Sequence, residues 1–228
     1  MVLTNTDEVH KNKERSDYVF VGCRAYARRH HSEFVKEFAM TKKQLKQFAI
    51  FAEIELSEPE WLKRFRAKYD KPYPPHITLT QGRQIREDDV LSLKERVFRV
   101  MKNFSNLEHF IGVSYSEIIP CSADWEGLYC VMIKAYVGKQ LYNLQKKLLS
   151  TVEIFDLEKP ESREYELNFS PHQTIGRDLN LEKYEKARKE LPTDLSFNGK
   201  IRKIVFLVAN NDSTEEATNP KNQTVFNL

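Results

Sequence analysis

Two five-residue stretches of this 228-residue chain nearly repeat each other. Pro75-His76-Ile77-Thr78-Leu79 and Pro171-His172-Gln173-Thr174-Ile175 lie nearly 100 residues apart. Each opens on a proline, which favours an extended approach. In a strand, side chains two positions apart share a face. Each stretch is therefore expected to be a strand that presents an imidazole beside a hydroxyl. The separation is that of a duplicated lobe rather than a solenoid repeat.

The surrounding pattern supports such a pair of halves. Phe48–Leu56 reads as a strand, with Phe48, Ile50, Ala52, Ile54 and Leu56 on one face and Glu53 and Glu55 on the other. Ser57-Glu58-Pro59-Glu60 reads as a capping box opening a helix with the stripe Trp61, Leu62, Phe65, Tyr69. After the strand His76–Gln81, a helix begins at Asp88-Asp89 and carries Val90, Leu93, Val97, Met101 and Phe104 at helical spacing. Strands are expected over Phe110–Ile119, Leu128–Val137, His172–Arg177 and Lys200–Ala209, with a terminal edge strand over Thr224–Leu228. Helices are expected over Lys139–Leu149 and from Leu181 through Tyr184 and Ala187 to Leu191. Residues 156–168 read as a charged loop. From residue 48 the order is β-α-β-α-β-β-α-β-α-β. Upstream, residues 1–17 read as a flexible polar tail. Residues 18–47 read as a basic extension, with a helix over 31–46 that uses Phe34, Phe38 and Leu45. The domain proper is expected over 48–228.

Composition excludes several classes. A chain that is 40% hydrophobic and 30% charged can build a core and is not a disordered protein. No apolar run approaches the roughly 20 residues of a membrane helix, and the polar N-terminus does not read as a signal peptide. Three cysteines, Cys23, Cys121 and Cys130, cannot all pair. They are expected to be free thiols in a reducing cytoplasm, with Cys121 and Cys130 buried or inert. A net charge of +3 argues little by itself. Its distribution says more: residues 1–47 hold 10 Lys/Arg against 6 Asp/Glu, and the remainder holds 26 against 27.

Two imidazoles and two hydroxyls facing one cleft suit a particular reaction. Cleaving a phosphodiester takes a base to activate an oxygen nucleophile and an acid to protonate the departing oxygen. Histidine titrates near neutrality, so one ring can accept a proton while the other donates. Threonine hydroxyls can donate to non-bridging phosphate oxygens as their charge grows. No metal is required, and no cofactor is expected. A single His-x-Thr is weak, because a histidine beside a β-branched residue is common in sheets. Two copies, each after proline and before an aliphatic residue, are much less so.

At these residues the chain resembles the 2H phosphoesterases, whose signature is a pair of His-x-Thr motifs about one lobe apart. That superfamily includes 2′-5′ RNA ligase-like proteins and cyclic phosphodiesterases. The resemblance covers about residues 48–209. It implies an α+β, bilobal, duplicated fold, with two antiparallel sheets around a central cleft and helices outside. It implies His76 and His172 as the catalytic acid–base pair, and Thr78 and Thr174 as phosphate ligands. It further implies that Arg177, five past His172, contacts phosphate or base. Strict alternation puts Arg177 on the face opposite His172, so it reaches the cleft only if the strand ends or bulges at Gly176. Many members have an aromatic residue five past the first histidine, where this chain has Gln81.

Tyr73 and Tyr165, just ahead of the motifs, are candidates for stacking on a nucleobase. Trp125 is a candidate lid or plug. His30-His31 with Arg28-Arg29 is a candidate phosphate contact, and the basic extension is expected to add RNA affinity or shape a cleft wall. The expected activity is metal-independent cleavage of a 2′,3′-cyclic phosphate or a 2′-5′ linkage in RNA ends or oligonucleotides, by a monomer away from membranes. Two alternatives stay open: a small signalling nucleotide as substrate, such as a cyclic oligonucleotide, or nucleotide binding without catalysis.

Overall fold

The structure is a computed structural model and describes residues 45–228 apart from 71–72, 106–108, 125, 156–163 and 212. The expected tail, most of the basic extension, Cys23, the His30-His31 run and Trp125 lie outside the described residues.

Strand β1 (Leu45–Leu56) buries Phe48, Ile50, Ala52 and Ile54 on one face, as its alternation predicts. It starts three residues earlier than expected because its partner is longer. β2 (His76–Arg86) runs past Gln81, and Arg86, Ile85 and Gln84 pair with Leu45, Lys46 and Gln47. Leu45 and Lys46 thus belong to the described strand rather than to the end of a helix. Helix α1 (Glu60–Tyr69) has Pro59 at its N-cap and no side-chain cap. The capping box from Ser57 does not form, since Ser57 still belongs to the sheet: its N–H donates to the Asn198 carbonyl at 2.9 Å.

A short 3₁₀ turn (Glu87–Asp89) leads into α2 (Val90–Ser105). Then follow β3 (Ile111–Ile119), β4 (Tyr129–Val137), α3 (Lys139–Val152), α4 (Glu164–Leu167), β5 (His172–Leu179), α5 (Leu181–Lys189), β6 (Phe197–Ala209), α6 (Thr214–Thr218) and β7 (Gln223–Asn227). The apolar stripes are buried as their spacing requires: Leu62, Phe65 and Tyr69 on α1, Leu93, Val97, Met101 and Phe104 on α2, and Leu141, Leu144 and Leu148 on α3. Leu181 departs from its expected stripe and is exposed at the first turn of α5, where Tyr184 and Ala187 make the contact instead.

All pairings are antiparallel, in the order β2-β1-β6-β3-β4-β5, with β7 also on β6. The expectation of two sheets is corrected by β6. One edge of this 13-residue strand pairs with β1. The other pairs first with β3, over Phe197–Ile201, and then with β7, over Lys203–Leu207. The two halves are therefore hydrogen-bonded into one sheet. The ends of the path, β2 and β5, come back into contact with each other. Helices cross between halves: α1 packs on β5, and α3 packs on β2.

Candidate active site

The two histidine strands are held in matching registers. His76 lies opposite Glu53 and Thr78 opposite Phe51; His172 lies opposite Lys134 and Thr174 opposite Met132. The preceding prolines match as well. The Pro75 carbonyl accepts from the Ile54 N–H at 2.8 Å, and the Pro171 carbonyl from the Ala135 N–H at 2.9 Å. Proline offers no N–H of its own, so each motif begins where the chain joins its neighbour through a carbonyl.

Each imidazole is fixed in the same way. His76 Nδ1 lies 2.8 Å from the Pro74 carbonyl, and His172 Nδ1 lies 3.0 Å from the Ser170 carbonyl. A carbonyl only accepts, so Nδ1 carries the hydrogen in both rings and Nε2 is left as the proton-exchanging atom. His76, Thr78, His172 and Thr174 line one cavity of about 120 Å³, together with Arg177, Asp178, Met132 and Leu128. Burial lowers the His76 pKa from its ordinary 6.5 to about 4; the bond to Pro74 opposes the shift and the Arg177 charge adds to it. Burial lowers His172 too, against its bond to Ser170. Without an anion between them, both rings are held toward the neutral, proton-accepting form.

Arg177 reaches the cavity through the irregularity its position requires. Thr174 pairs with Met132 but Gly176 with Val131, so Ile175 is an extra residue; the next pair, Leu179 with Tyr129, adds another. The strand bulges twice, and Asp178 takes φ +55°, the one non-glycine positive φ among the described residues. Gly176 allows this beside α1: a Cβ there would stand 3.3 Å from Tyr69 Cβ. Arg177 Nε donates to Asp70 Oδ1 at 2.7 Å, and its guanidinium lies 4.8 Å from the centre of the Tyr73 ring. Tyr73 also packs edge-on to His76, with centroids 6.4 Å apart. Tyr73 therefore supports Arg177 and His76 beside the cavity. Arg66 secures the approach by donating to the Tyr73 carbonyl at 2.7 Å.

Three features escape a sequence reading. First, an acid six residues before each histidine holds an arginine on the other histidine strand: Asp70 holds Arg177, and Glu166 holds Arg83. Glu166, in the segment expected to be a charged loop, is buried on α4. It also accepts from the Gln81 N–H at 2.7 Å, while Gln145 donates to its carbonyl at 3.1 Å. Gln81 is thus engaged at α4 and is not among the cavity residues. The tyrosine on α4, Tyr165, has its side chain outside the described ones. The signal that could have revealed the pairs is the equal spacing of Asp70 and Glu166 from His76 and His172.

Second, Cys121 and Cys130 are neither deeply buried nor remote; both are half-buried on the cavity wall. Third, Asp124 and Asp178 add carboxylates to the cavity. Among the described residues no group of three or more His, Cys, Asp or Glu is arranged to hold a metal ion. No helix among them is long and apolar enough to cross a membrane.

No protein-family model matches the chain, and no curated protein sequence does. Among solved structures it is similar to Kluyveromyces marxianus Usb1, at 14% identity and a TM-score of 0.48 over 82% of this chain and 99% of that one. It is similar to the same protein with uridine monophosphate, at 14% identity and a TM-score of 0.47 over 82% and 100%. It is also similar to E. coli LigT complexed with 3′-AMP, at 13% identity and a TM-score of 0.42 over 81% and 96%.

Proposed function

We propose that the protein is a metal-independent phosphoesterase that cleaves a phosphodiester at an RNA end or in an oligonucleotide, with a 2′,3′-cyclic phosphate or a 2′-5′ linkage as the bond attacked. One observation carries the reading: two imidazoles, each with Nδ1 tied to the carbonyl two residues back, share one small cavity with two threonines. Such a pair can transfer protons to and from opposite sides of a phosphorus atom. One Nε2 takes the proton from the attacking hydroxyl or water. The other, protonated, gives its proton to the departing oxygen. Thr78, Thr174 and Arg177 donate to the non-bridging oxygens, whose charge grows in the transition state. A bound phosphate anion counters the desolvation that holds the rings neutral, so substrate itself loads the second proton.

The cavity of about 120 Å³ suits a terminal phosphate and its sugar, with Leu128 and Met132 as apolar floor. Tyr73 and, on α4, Tyr165 are proposed to flank the base. A monomer is proposed. The cytoplasm is proposed as its setting on the three cysteines, a number that cannot all pair. The basic residues upstream of β1 are proposed to add RNA affinity. Replacing Arg28 and Arg29 by glutamine should then flatten the salt dependence of RNA binding by about one to two counterions.

The deciding experiment incubates the protein in EDTA with three substrates: a 2′,3′-cyclic-phosphate-ended oligoribonucleotide, a 2′-5′ oligoadenylate and a cyclic dinucleotide. The His76→Ala/His172→Ala double variant runs beside it. Turnover of one substrate, lost in the double variant, supports the mechanism and names the substrate class. Turnover of the cyclic dinucleotide alone moves the reading to a signalling nucleotide. Binding of all three without turnover makes the protein a nucleotide-binding module.

A further inference from the structure

Cys121 and Cys130 lie where two backbones are fixed on either side of them. The β3–β4 ladder ends on the pair Ile119 with Met132. Carrying that register forward by two residues sets Cys121 opposite Cys130. Beyond them the connection is closed by a tight turn. The Asp124 N–H donates to the Leu128 carbonyl at 2.8 Å, Asp124 Oδ1 accepts from the N–H groups of Glu126 and Leu128 at 2.9 and 2.8 Å, and Gly127 supplies φ +77°. Directly opposed residues of antiparallel strands have Cα atoms roughly 4.5–5.5 Å apart, inside the span of about 4.4–6.8 Å that a disulfide bridges. Both side chains are half-buried, both line the cavity that holds His76 and His172, and both are thiols.

We propose that Cys121 and Cys130 are a thiol–disulfide switch on the wall of this cavity, reactive toward small disulfides. The Cys121 thiolate attacks one sulfur of a disulfide such as oxidised glutathione, and one glutathione leaves as its thiolate. The resulting mixed disulfide places the glutathionyl group at the cavity. The Cys130 thiol, losing its proton to solvent, then attacks Cys121 Sγ and releases the second glutathione. The two protein thiols are oxidised, and one disulfide is reduced to two glutathiones. One observation favours Cys121 as the attacking sulfur. Its thiol is held down to about 7 by hydrogen bonds from the Cys130 side chain and backbone, against the cost of burial, so close to half is thiolate at neutral pH. In the thiol form Cys121 donates to the Ser122 carbonyl at 3.2 Å, a bond given up when the proton leaves.

The test uses the full chain with Cys23→Ser, so that only the pair reacts, and reads intact mass after treatment with oxidised glutathione. The expected product has lost two hydrogens and carries no adduct. With Cys130→Ser added, one glutathione stays on Cys121. With Cys121→Ser added instead, Cys130 reacts at least tenfold more slowly. In the reduced Cys23→Ser protein, alkylation of Cys121, read by peptide mass, should be half-maximal near a pH of about 7 rather than the ordinary 8.5 or so, and Cys130→Ala, which removes the side chain that holds it down, should move the midpoint back up. Two adducts on the Cys23→Ser protein, no reaction, or equal rates at the two sulfurs would overturn the proposal. Mass and alkylation rate report the thiols whether or not the cavity cleaves phosphodiesters. Where cleavage is found, the Cys130→Ser adduct should lose at least nine-tenths of it and regain it on reduction.

Discussion

The two arginine–carboxylate pairs that cross between halves are built alike and end differently. Arg83 on β2 reaches Glu166 ahead of β5, and Arg177 on β5 reaches Asp70 ahead of β2. The first pair is closed off, with side chains 4% and 1% exposed, and Glu166 also takes the Gln81 amide. The second has Asp70 1% exposed but Arg177 17%, at the wall of the cavity. The strands themselves do not differ: each gains two extra residues at matching places beyond its threonine, β2 against β1 and β5 against β4. The difference lies in position. Arg177 stands five past His172, within the second bulge and at the cavity, whereas Arg83 stands seven past His76, just beyond it and opposite Phe48. One backbone plan thus yields a closed fastener on one side and a cation at the cavity wall on the other. Where the arginine falls along the bulged strand, not the bulges themselves, sets the two apart.

The largest effects should fall on what the two halves share. His76→Ala and His172→Ala should each lower turnover by roughly 10²–10⁴, since proton transfer needs both rings; single-turnover assays check this. Near-full activity in either variant would break the equivalence of the halves.

The carboxylates should then separate the two pairs. Glu166→Ala removes the buried carboxylate that neutralises Arg83 and should cost about 3–5 kcal/mol in urea denaturation. Asp70→Asn keeps the shape and leaves Arg177 partly solvated. It should cost less stability but weaken nucleoside monophosphate binding about tenfold, close to the worth of a charged hydrogen bond. Equal stability losses would erase the distinction.

Smaller again are the threonines. Thr78→Val and Thr174→Val should each raise the barrier by about 1.5–3 kcal/mol, the worth of one hydrogen bond to an anion, read as kcat with KM little changed.

A further effect is in pH. Folding holds His76 at about 4, below its ordinary 6.5. A lowered histidine pKa favours the neutral form, so its contribution to stability is full above about 6.5 and is lost as pH falls through about 4. A bound phosphate favours the protonated ring. Affinity for a nucleoside monophosphate should therefore rise by up to about tenfold per unit as pH is lowered from about 7 to 5. Calorimetry across that range, with His76→Ala as the control, sharpens which ring takes the proton.

The strands and helices were legible in the sequence because their apolar periods are clean, as in Phe48-Ile50-Ala52-Ile54 and Leu93-Val97-Met101. The four motif residues were legible because the motif occurs twice. The joining of the halves was not. Whether β3 pairs with β6 depends on how far β6 extends upstream of Lys200, and Phe197-Asn198-Gly199 gives no strong strand signal. Glu166 was hidden because a carboxylate in a charged stretch reads as solvated until its arginine, 83 positions away, is placed beside it. The nearness of Cys121 and Cys130 was hidden for a related reason: it is a matter of hairpin register, not of the short spacing that marks metal sites.

The place of β6 also sets an order of events during synthesis. β1 emerges early, with β2 on one edge, and its other edge waits for a strand that ends at Ala209. At roughly 5–20 residues per second, that wait is on the order of 10–30 s. For that time an unpaired edge, carrying alternate large apolar side chains, stands open to any other extended chain. The glutamates on its outward face, Glu53 and Glu55, later meet Lys203 and Arg202. Until then their like charges oppose the approach of a second copy of β1, guarding the strand before they fasten it.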